Sequence, residues 1–153
     1  MAKLSKRSKE KLETCDFRLQ AVCNLAIQAY DFSVVFGQRT QQEQLKLYEA
    51  GRQKNLNGTY SIIDQSKVVT YCDGFSRMST HNYSPSLGID LIPYPTKWTN
   101  EKEFFRMAGA MFMAAELLGI ELEWGGDWTS IKDLAHFQVK KVGRKNNIGN
   151  QYS

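Results

Sequence analysis

Two different hydrophobic patterns follow each other in the first part of the chain. Between Leu12 and Ala29 apolar residues recur every three or four positions, which predicts one amphipathic helix over roughly residues 8–30. The stretch FSVVF at 32–36 is short and continuously apolar, a pattern typical of a buried strand. The chain is therefore predicted to begin with a helix that leads into a strand.

A second helix is predicted over residues 40–51, TQQEQLKLYEAG. Thr40 can cap its first turn, and Glu43 stands three residues later, where a capping box places an acidic side chain. Gly51 can end the helix because glycine readily adopts the backbone conformation that follows a last helical turn.

The middle of the chain reads as a long excursion followed by a strand. Residues 52–76 are rich in Asn, Gly, Ser and Asp, and within them KVVTY at 67–71 predicts an edge strand. The stretch GIDLI at 88–92 is apolar except for Asp90 and stops at Pro93, which predicts a central strand that carries one carboxylate.

The last third predicts one long helix and two strands. The helix covers 99–119, with Thr99 as its cap and Gly119 as its stop, and ELEW at 121–124 and HFQVK at 136–140 are strands. Its predicted buried face consists of Phe105, Ala108, Phe112, Ala115 and Leu118. Helices outside and strands clustered later indicate an α+β fold, a small and mainly antiparallel sheet packed by helices.

Composition limits the classes of protein to which the chain can belong. With 153 residues, 42% of them hydrophobic, residues 1–153 are expected to form a single domain with its own core. No apolar run approaches the roughly 20 residues that a membrane helix needs, so no membrane insertion is expected. The first residues, MAKLSKRSKEKLE, are charged and lack the apolar region of a signal peptide, so we expect synthesis and storage in a cytoplasm.

Charge and cysteine content leave several interpretations open. The net charge is +4, and a basic cluster near the end of the chain could favour nucleic acid, anionic lipid or an anionic wall polymer, or could simply be solvated. The cluster consists of Lys140, Lys141, Arg144 and Lys145. Cys15 and Cys23 fall on the apolar stripe of the first helix and are expected to be buried, whereas Cys72 is a weak candidate for a metal ligand.

Both histidines of the chain stand beside carboxylates at predicted strand edges. A catalytic zinc site needs three protein ligands, an open position for water and a nearby carboxylate that accepts a proton. His81, Asp90 and His136 can supply the ligands, and Asp133 can supply the base. The spacing alone also allows two histidines that merely pack at strand edges, each hydrogen-bonded to a carboxylate or carbonyl.

Three motifs give this pattern a family resemblance. STHNYSPSLGIDLIPYP resembles the SxHNxxPSxAxDxxPYP signature of phage endolysins of the D-Ala-D-Ala carboxypeptidase-like zinc peptidase family. WGGDW…DLAHF resembles their WGGDW…DxxHF signature, and VVFGQRTQQEQLKLYEAGR resembles a GxRTxxEQxxLYxxGR helix entry. The motifs occur in the family order over residues 34–138, and the chain most resembles L-alanyl-D-glutamate endopeptidases. The resemblance implies the Hedgehog and D-Ala-D-Ala-peptidase type of fold.

The resemblance also implies roles for individual residues. His81, Asp90 and His136 match the ligands of one zinc ion per chain, and Asp133 matches the catalytic acid and base. Arg39 matches an arginine that faces the active site, where it would hold a substrate carboxylate or stabilise oxyanion charge.

The sequence leaves the roles of four residues open, Arg39 among them. Ser79 matches a serine that either supports the first ligand or contacts substrate, although it could equally be an ordinary turn residue. Arg39 could likewise be a surface residue at the start of a helix. Trp124 and Trp128 are interpreted mainly as wall and scaffold, with a role in facing the substrate as the alternative.

Two departures from the family pattern affect what can be transferred. Gly88 stands where relatives usually have alanine, which should loosen the strand entry slightly and affect ligation little. The loop TSIK at 129–132 lacks the acidic insert of some relatives, so calcium regulation is not transferred, because calcium needs six to eight oxygen ligands.

The implied function is hydrolysis of the L-Ala–D-Glu bond in the peptidoglycan stem, which lyses the host cell. Such an endolysin would wait as a monomer in the host cytoplasm until a separate permeabilising protein admits it to the wall, and it would need no stable nucleic-acid partner. The alternatives are a D,D- or L,D-carboxypeptidase with the same metal site, and a non-catalytic module that binds cell wall or nucleic acid through the basic tail.

Overall fold

Helices flank a small antiparallel sheet in the computed structural model, which describes residues 1–95 and 98–142. The elements, in chain order, are α1 (Lys6–Leu12), α2 (Phe17–Ala26), β1 (Phe32–Phe36), α3 (Gln41–Tyr48), β2 (Arg52–Lys54), β3 (Tyr60–Ile62), β4 (Gly88–Pro93), α4 (Glu101–Leu118), β5 (Glu123–Trp124) and β6 (His136–Gln138). The main sheet has the order β1-β4-β6-β5, and all its pairs are antiparallel. The predicted α+β fold is confirmed.

Strand β4 occupies the middle of this sheet, as the sequence predicts. Ile89 and Leu91 are fully buried in the core, and alternation along the strand turns Asp90 to the opposite face. In the antiparallel register Asp90 lies directly opposite His136 of β6. The pairing of two strands thus brings together a carboxylate and an imidazole that are 46 residues apart in sequence.

The predicted helix over 8–30 is wrong, because the chain forms two helices there. Asp16 interrupts the helix and starts α2, since its side chain accepts a hydrogen bond from the backbone N–H of Arg18. The backbone at this point also forms hydrogen bonds with a distant segment: Asp16 N–H donates to the carbonyl of Ser86, and Ser86 N–H donates to the carbonyl of Thr14. This pairing with a distant segment leaves no trace in the local hydrophobic pattern.

Helix α4 forms where predicted, but the face that it buries differs from the predicted face. Phe105 and Leu118 are 56% and 43% exposed, so the predicted face is wrong at these two positions. The buried residues are Phe104, Met107, Ala108, Met111, Ala114 and Ala115. Apolar residues stand side by side along this helix, so a 3.6-residue period allows two neighbouring faces. The cap position is Asn100 rather than Thr99, and Gly119 ends the helix with φ of 66° as expected.

The predicted edge strand over 67–71 is also wrong. Its start belongs to a short 3-10 turn, in which the N–H groups of Lys67 and Val68 donate to carbonyls three residues earlier. Residues 52–76 instead contain the two-stranded ribbon β2–β3. Helix α3 has the predicted capping box between Thr40 and Glu43.

The remaining predictions concern single residues and the end of the chain. Cys15 and Cys23 are buried in the core, as expected. Lys140 forms an ion pair of 2.7 Å with Glu121, and Lys141 lies over an aromatic ring. The other two members of the basic cluster, Arg144 and Lys145, lie outside the described residues. Within the described ranges, no helix is long and apolar enough to cross a membrane.

Candidate active site

Three ligand atoms converge where β4 and β6 pair. His81 Nε2 lies 3.1 Å from Asp90 Oδ1, His136 Nδ1 lies 3.0 Å from the same oxygen, and the two nitrogens are 3.1 Å apart. Asp90 and His136 come from facing strands, and His81 comes from the 3-10 turn Thr80–Asn82. All three side chains are buried. The structure therefore brings together the three residues that the sequence predicts as metal ligands.

The outer nitrogen of each imidazole has its own partner. His81 Nδ1 lies 2.7 Å from the carbonyl oxygen of Gly37, which can only accept, so Nδ1 carries the hydrogen and Nε2 turns a lone pair inward. His136 Nε2 lies 2.9 Å from Oε1 of Gln138, which leaves Nδ1 to face the cluster. Lone pairs that face a carboxylate at 3.0–3.1 Å need a proton or a cation between them.

The triangle has the dimensions of one face of a metal site. A tetrahedral ion with bonds of about 2.0–2.1 Å separates its ligand atoms by about 3.3 Å, close to the observed distances. Two imidazole nitrogens and one carboxylate oxygen leave a fourth position open to the cleft. His81, Asp90 and His136 could therefore hold one metal ion.

The electrostatics of the cluster favour charge separation when no metal is bound. Burial alone would raise the pKa of Asp90, but hydrogen bonds from His136 and His81 and their positive charge bring it well below its usual range. Burial lowers the pKa of His136, whereas the hydrogen bond to Asp90 and its negative charge raise it to a net value above the usual one. A proton at His136 thus competes with a metal ion, and metal binding should weaken as the pH falls.

Asp133 lies beside this cluster and lines the same cleft. Its Oδ1 accepts a hydrogen bond from Ala135 N–H at 3.2 Å, whereas Oδ2 makes no hydrogen bond within the described part of the chain. Burial and the charge of Asp90 raise the pKa of Asp133 above its usual value, against the lowering effect of His136. A carboxylate in this setting is a better proton acceptor than an exposed one.

The glycine after Trp124 is needed for this placement. Asp133 N–H donates to the carbonyl of Gly125 at 3.0 Å, so the two backbones lie in contact. A Cβ atom at Gly125 would come within 2.4 Å of the Asp133 carbonyl oxygen. Only a residue without a side chain allows the loop that carries Asp133 to approach so closely.

Arg39 also reaches the cluster. Its Nη2 lies 3.5 Å from Asp90 Oδ2, its Nη1 donates to Gln44 Oε1 at 2.9 Å, and its guanidinium lies over the ring of Phe36. Its backbone N–H donates to the carbonyl of His81. Arg39 is therefore held beside the three potential metal ligands and is not a free surface residue.

The other predicted residues occupy the surroundings of the cluster. Ser79 caps the 3-10 turn that carries His81, and its Oγ accepts the N–H of that ligand. Trp124 is a buried scaffold residue whose indole N–H donates to the carbonyl of Leu134. Trp128 forms a wall 5.1 Å from the His136 ring. Cys72 lines the cleft but does not belong to the group of potential metal ligands.

A cleft of about 780 Å³ opens above these groups. Its lining includes Trp128 and Ile131 from the loop before Asp133, and Tyr71, Arg77 and Met78 from the segment before His81. The lining of the cleft combines the three potential metal ligands and Asp133 with aromatic and cationic side chains.

Gln44 is a site residue that the sequence reasoning missed. It is 1% exposed, and its Nε2 donates to the carbonyl of Cys72 at 2.9 Å and to Thr70 Oγ1 at 3.3 Å. Its amide oxygen is thereby turned toward Arg39. The sequence did offer one indication of this role: the helix-entry motif specifies glutamine at this position, on the side of the helix that faces the core.

We expect Gln44→Leu to lower the free energy of unfolding by about 1–3 kcal/mol, because it removes the hydrogen bonds that the buried Gln44 amide makes to the Cys72 carbonyl and to Arg39 Nη1. The matched control is Gln42→Leu, since Gln42 is exposed on the same helix. Urea denaturation of both variants measures the difference. Equal stability of the two variants would show that Gln44 does not connect Arg39 to the cleft wall.

Comparisons with known proteins identify a family and a similar fold. The sequence matches the family model described as phage L-alanyl-D-glutamate peptidase over residues 1–142. The fold is similar to the crystal structure of the Serratia marcescens L-Ala D-Glu endopeptidase ChiX, with a TM-score of 0.65, 24% sequence identity and 91% of each chain covered. At this identity the likeness establishes the fold. No curated protein matches the chain.

Proposed function

Because this chain belongs to the family of phage L-alanyl-D-glutamate peptidases, we propose that it is a zinc-dependent endopeptidase that cuts the L-Ala–D-Glu bond of the peptidoglycan stem. The resemblance drawn from the sequence motifs is confirmed by the family match, and the chain is a peptidoglycan-hydrolysing peptidase. The observation that carries the zinc proposal is the convergence of His81 Nε2, Asp90 Oδ1 and His136 Nδ1. Two imidazoles, one carboxylate and an open position form a donor set that suits catalytic zinc.

In this proposal each protein group has a separate task. Zinc, when bound, supplies a Lewis acid that polarises the scissile carbonyl and activates water. Asp133 takes the proton of the attacking water at its free Oδ2 and then returns it to the leaving amine. One carboxylate can do both because it is regenerated within each cycle.

Arg39 is proposed to stabilise negative charge on the substrate. Its side chain is fixed by Gln44 and Phe36, so little conformational entropy is lost when its remaining N–H groups meet an anion. The anion is either the oxyanion of the transition state or the free α-carboxylate of D-Glu. Ser79 supports the turn of His81 and lies close enough to the cleft to contact substrate.

The proposal also includes the setting in which the enzyme acts. One chain supplies all three proposed ligands and the proposed base, so a monomer suffices, and the stem peptide is its partner without any stable nucleic-acid partner. As a member of a phage family, the protein is proposed to wait in the host cytoplasm. A separate membrane-permeabilising protein would then give it access to the wall.

Fragment analysis tests the bond that is cleaved. Digestion of purified Gram-negative sacculi should release stem peptides with a new D-Glu N-terminus and leave L-Ala on the lactyl group of the glycan. Mass spectrometry of both fractions identifies the products, and sacculi treated with Asp133→Asn protein provide the control. Free D-Ala as the main product, with the stems still attached, would establish a carboxypeptidase instead.

A further inference from the structure

The outer nitrogen of His136 takes part in a chain of hydrogen bonds that leads away from the proposed metal site. His136 Nε2 lies 2.9 Å from Gln138 Oε1 and 3.3 Å from Thr80 Oγ1. Gln138 Nε2 in turn lies 2.7 Å from Glu123 Oε2. The chain therefore runs from the ligand through an amide to a carboxylate.

The carboxylate determines the direction of every hydrogen bond in this chain. An ionised carboxylate only accepts, so the amide nitrogen of Gln138 must face Glu123. The amide oxygen then faces His136 and accepts a hydrogen bond from its Nε2–H. With the hydrogen on Nε2, the lone pair of Nδ1 is directed at Asp90 and His81.

The sheet holds these groups in register. His136 and Gln138 are two residues apart on β6, so their side chains lie on the same face of the sheet. Glu123 of β5 is the direct partner of Gln138 across the strand pair. Glu123 also lies 3.9 Å from the ammonium group of Lys140, at the partly exposed edge of the sheet.

We propose that Glu123 and Gln138 are positioning residues that hold His136 with its hydrogen on Nε2, and so set the metal affinity of the site. His81 is held in the opposite way, because the Gly37 carbonyl fixes the hydrogen on Nδ1. The two histidines therefore bind metal through different ring nitrogens, Nε2 in His81 and Nδ1 in His136. This inference rests on the proposed metal site but not on the bond that the enzyme cleaves.

Zinc affinity tests the positioning role. Gln138→Leu should weaken zinc binding about 10–100-fold, the usual cost of losing a partner that orients a ligand. Glu121→Gln is the matched control, because Glu121 binds Lys140 at the same edge but makes no hydrogen bond to Gln138. Competition with a chromophoric chelator measures both dissociation constants, and circular dichroism confirms that each variant is folded. Wild-type affinity in folded Gln138→Leu would overturn the proposal.

A reversed pair provides the second test. In the double variant Glu123→Gln/Gln138→Glu, a carboxylate accepts from His136 Nε2–H and an amide donates to that carboxylate. Zinc affinity should return to within a few-fold of the wild type, whereas Glu123→Gln alone should remain weaker because its amide no longer fixes the orientation of Gln138. A double variant that binds zinc no better than Gln138→Leu would overturn the proposal, because an acceptor that faces His136 Nε2–H would then not set the zinc affinity.

The ligating nitrogens can be observed directly. The sequence contains two histidines, so the ¹⁵N spectrum of the zinc-loaded protein has two imidazole rings to assign. Zinc on Nε2 of His81 and on Nδ1 of His136 is the expected result, and zinc on Nε2 of both rings would overturn the inference. A wild-type protein that binds no zinc would instead refute the proposed metal function, so the two failures are distinguishable.

Discussion

Removing zinc should abolish hydrolysis of purified sacculi, and one equivalent of zinc should restore it. The cleft contains one buried group of ligands among the described residues, so about one zinc per chain is expected in elemental analysis. A Lewis acid contributes several kcal/mol to stabilising the transition state, which corresponds to a loss of about 10³-fold or more when it is absent. Full activity in metal-free protein would refute the proposed mechanism.

Substitution of the ligands makes the same test specific. His81→Ala and His136→Ala should each lose bound zinc, because two protein ligands bind it far less tightly than three. Cys72→Ser is the matched control, since Cys72 lines the cleft but lies outside the ligand group. Zinc content after gel filtration separates these outcomes. Loss of zinc from Cys72→Ser would mean that the ligands are wrongly assigned.

The three proposed ligands could be predicted from the sequence, because their residue types and the motifs around them indicate a metal site. Asp90 and His136 are 46 residues apart, and the pairing of β4 with β6 brings them together, whereas His81 stands nine residues before Asp90 in the chain. The motif resemblance supplied this long-range information. Their hydrophobic neighbours predicted the two strands but could not have shown their register.

The residues that orient the site could not be predicted in the same way. Gln44 and Gln138 are ordinary polar residues in sequence, and their roles depend on which amide atom meets which partner. Hydrogen bonds of this kind leave no periodic pattern in the sequence. The break between α1 and α2 was missed for the same reason, because it depends on pairing with Ser86.

The structural role of Gly88, where the chain departs from the family motif, can be seen only in the fold. A Cβ atom at this position would lie 2.3 Å from Thr80 Oγ1 and 2.9 Å from His136 Cε1. The glycine therefore leaves room for a threonine hydroxyl that lies near the outer nitrogen of His136. The sequence indicated only a slightly looser strand entry, because the contact with Thr80 is visible only in the fold.

Asp133→Asn should lower the rate of hydrolysis by about 10²-fold or more while zinc stays bound. The amide has the size of the carboxylate, and its oxygen can still accept from Ala135 N–H, so the loop should keep its place. It cannot, however, take a proton from water. The control is Asp127→Asn, because Asp127 is an exposed carboxylate of the same WGGDW segment.

The pH profile distinguishes a proton acceptor from a residue that only shapes the loop. Burial and the charge of Asp90 raise the pKa of Asp133, whereas a bound cation nearby would lower it again. The wild-type rate should fall as the pH drops through this pKa, since protonated Asp133 cannot act as a base. In Asp133→Asn this acid limb should disappear from the small residual rate over the pH range in which zinc stays bound. An Asp133→Asn protein that retains near-normal turnover, or that loses its zinc, would show that Asp133 is not the base.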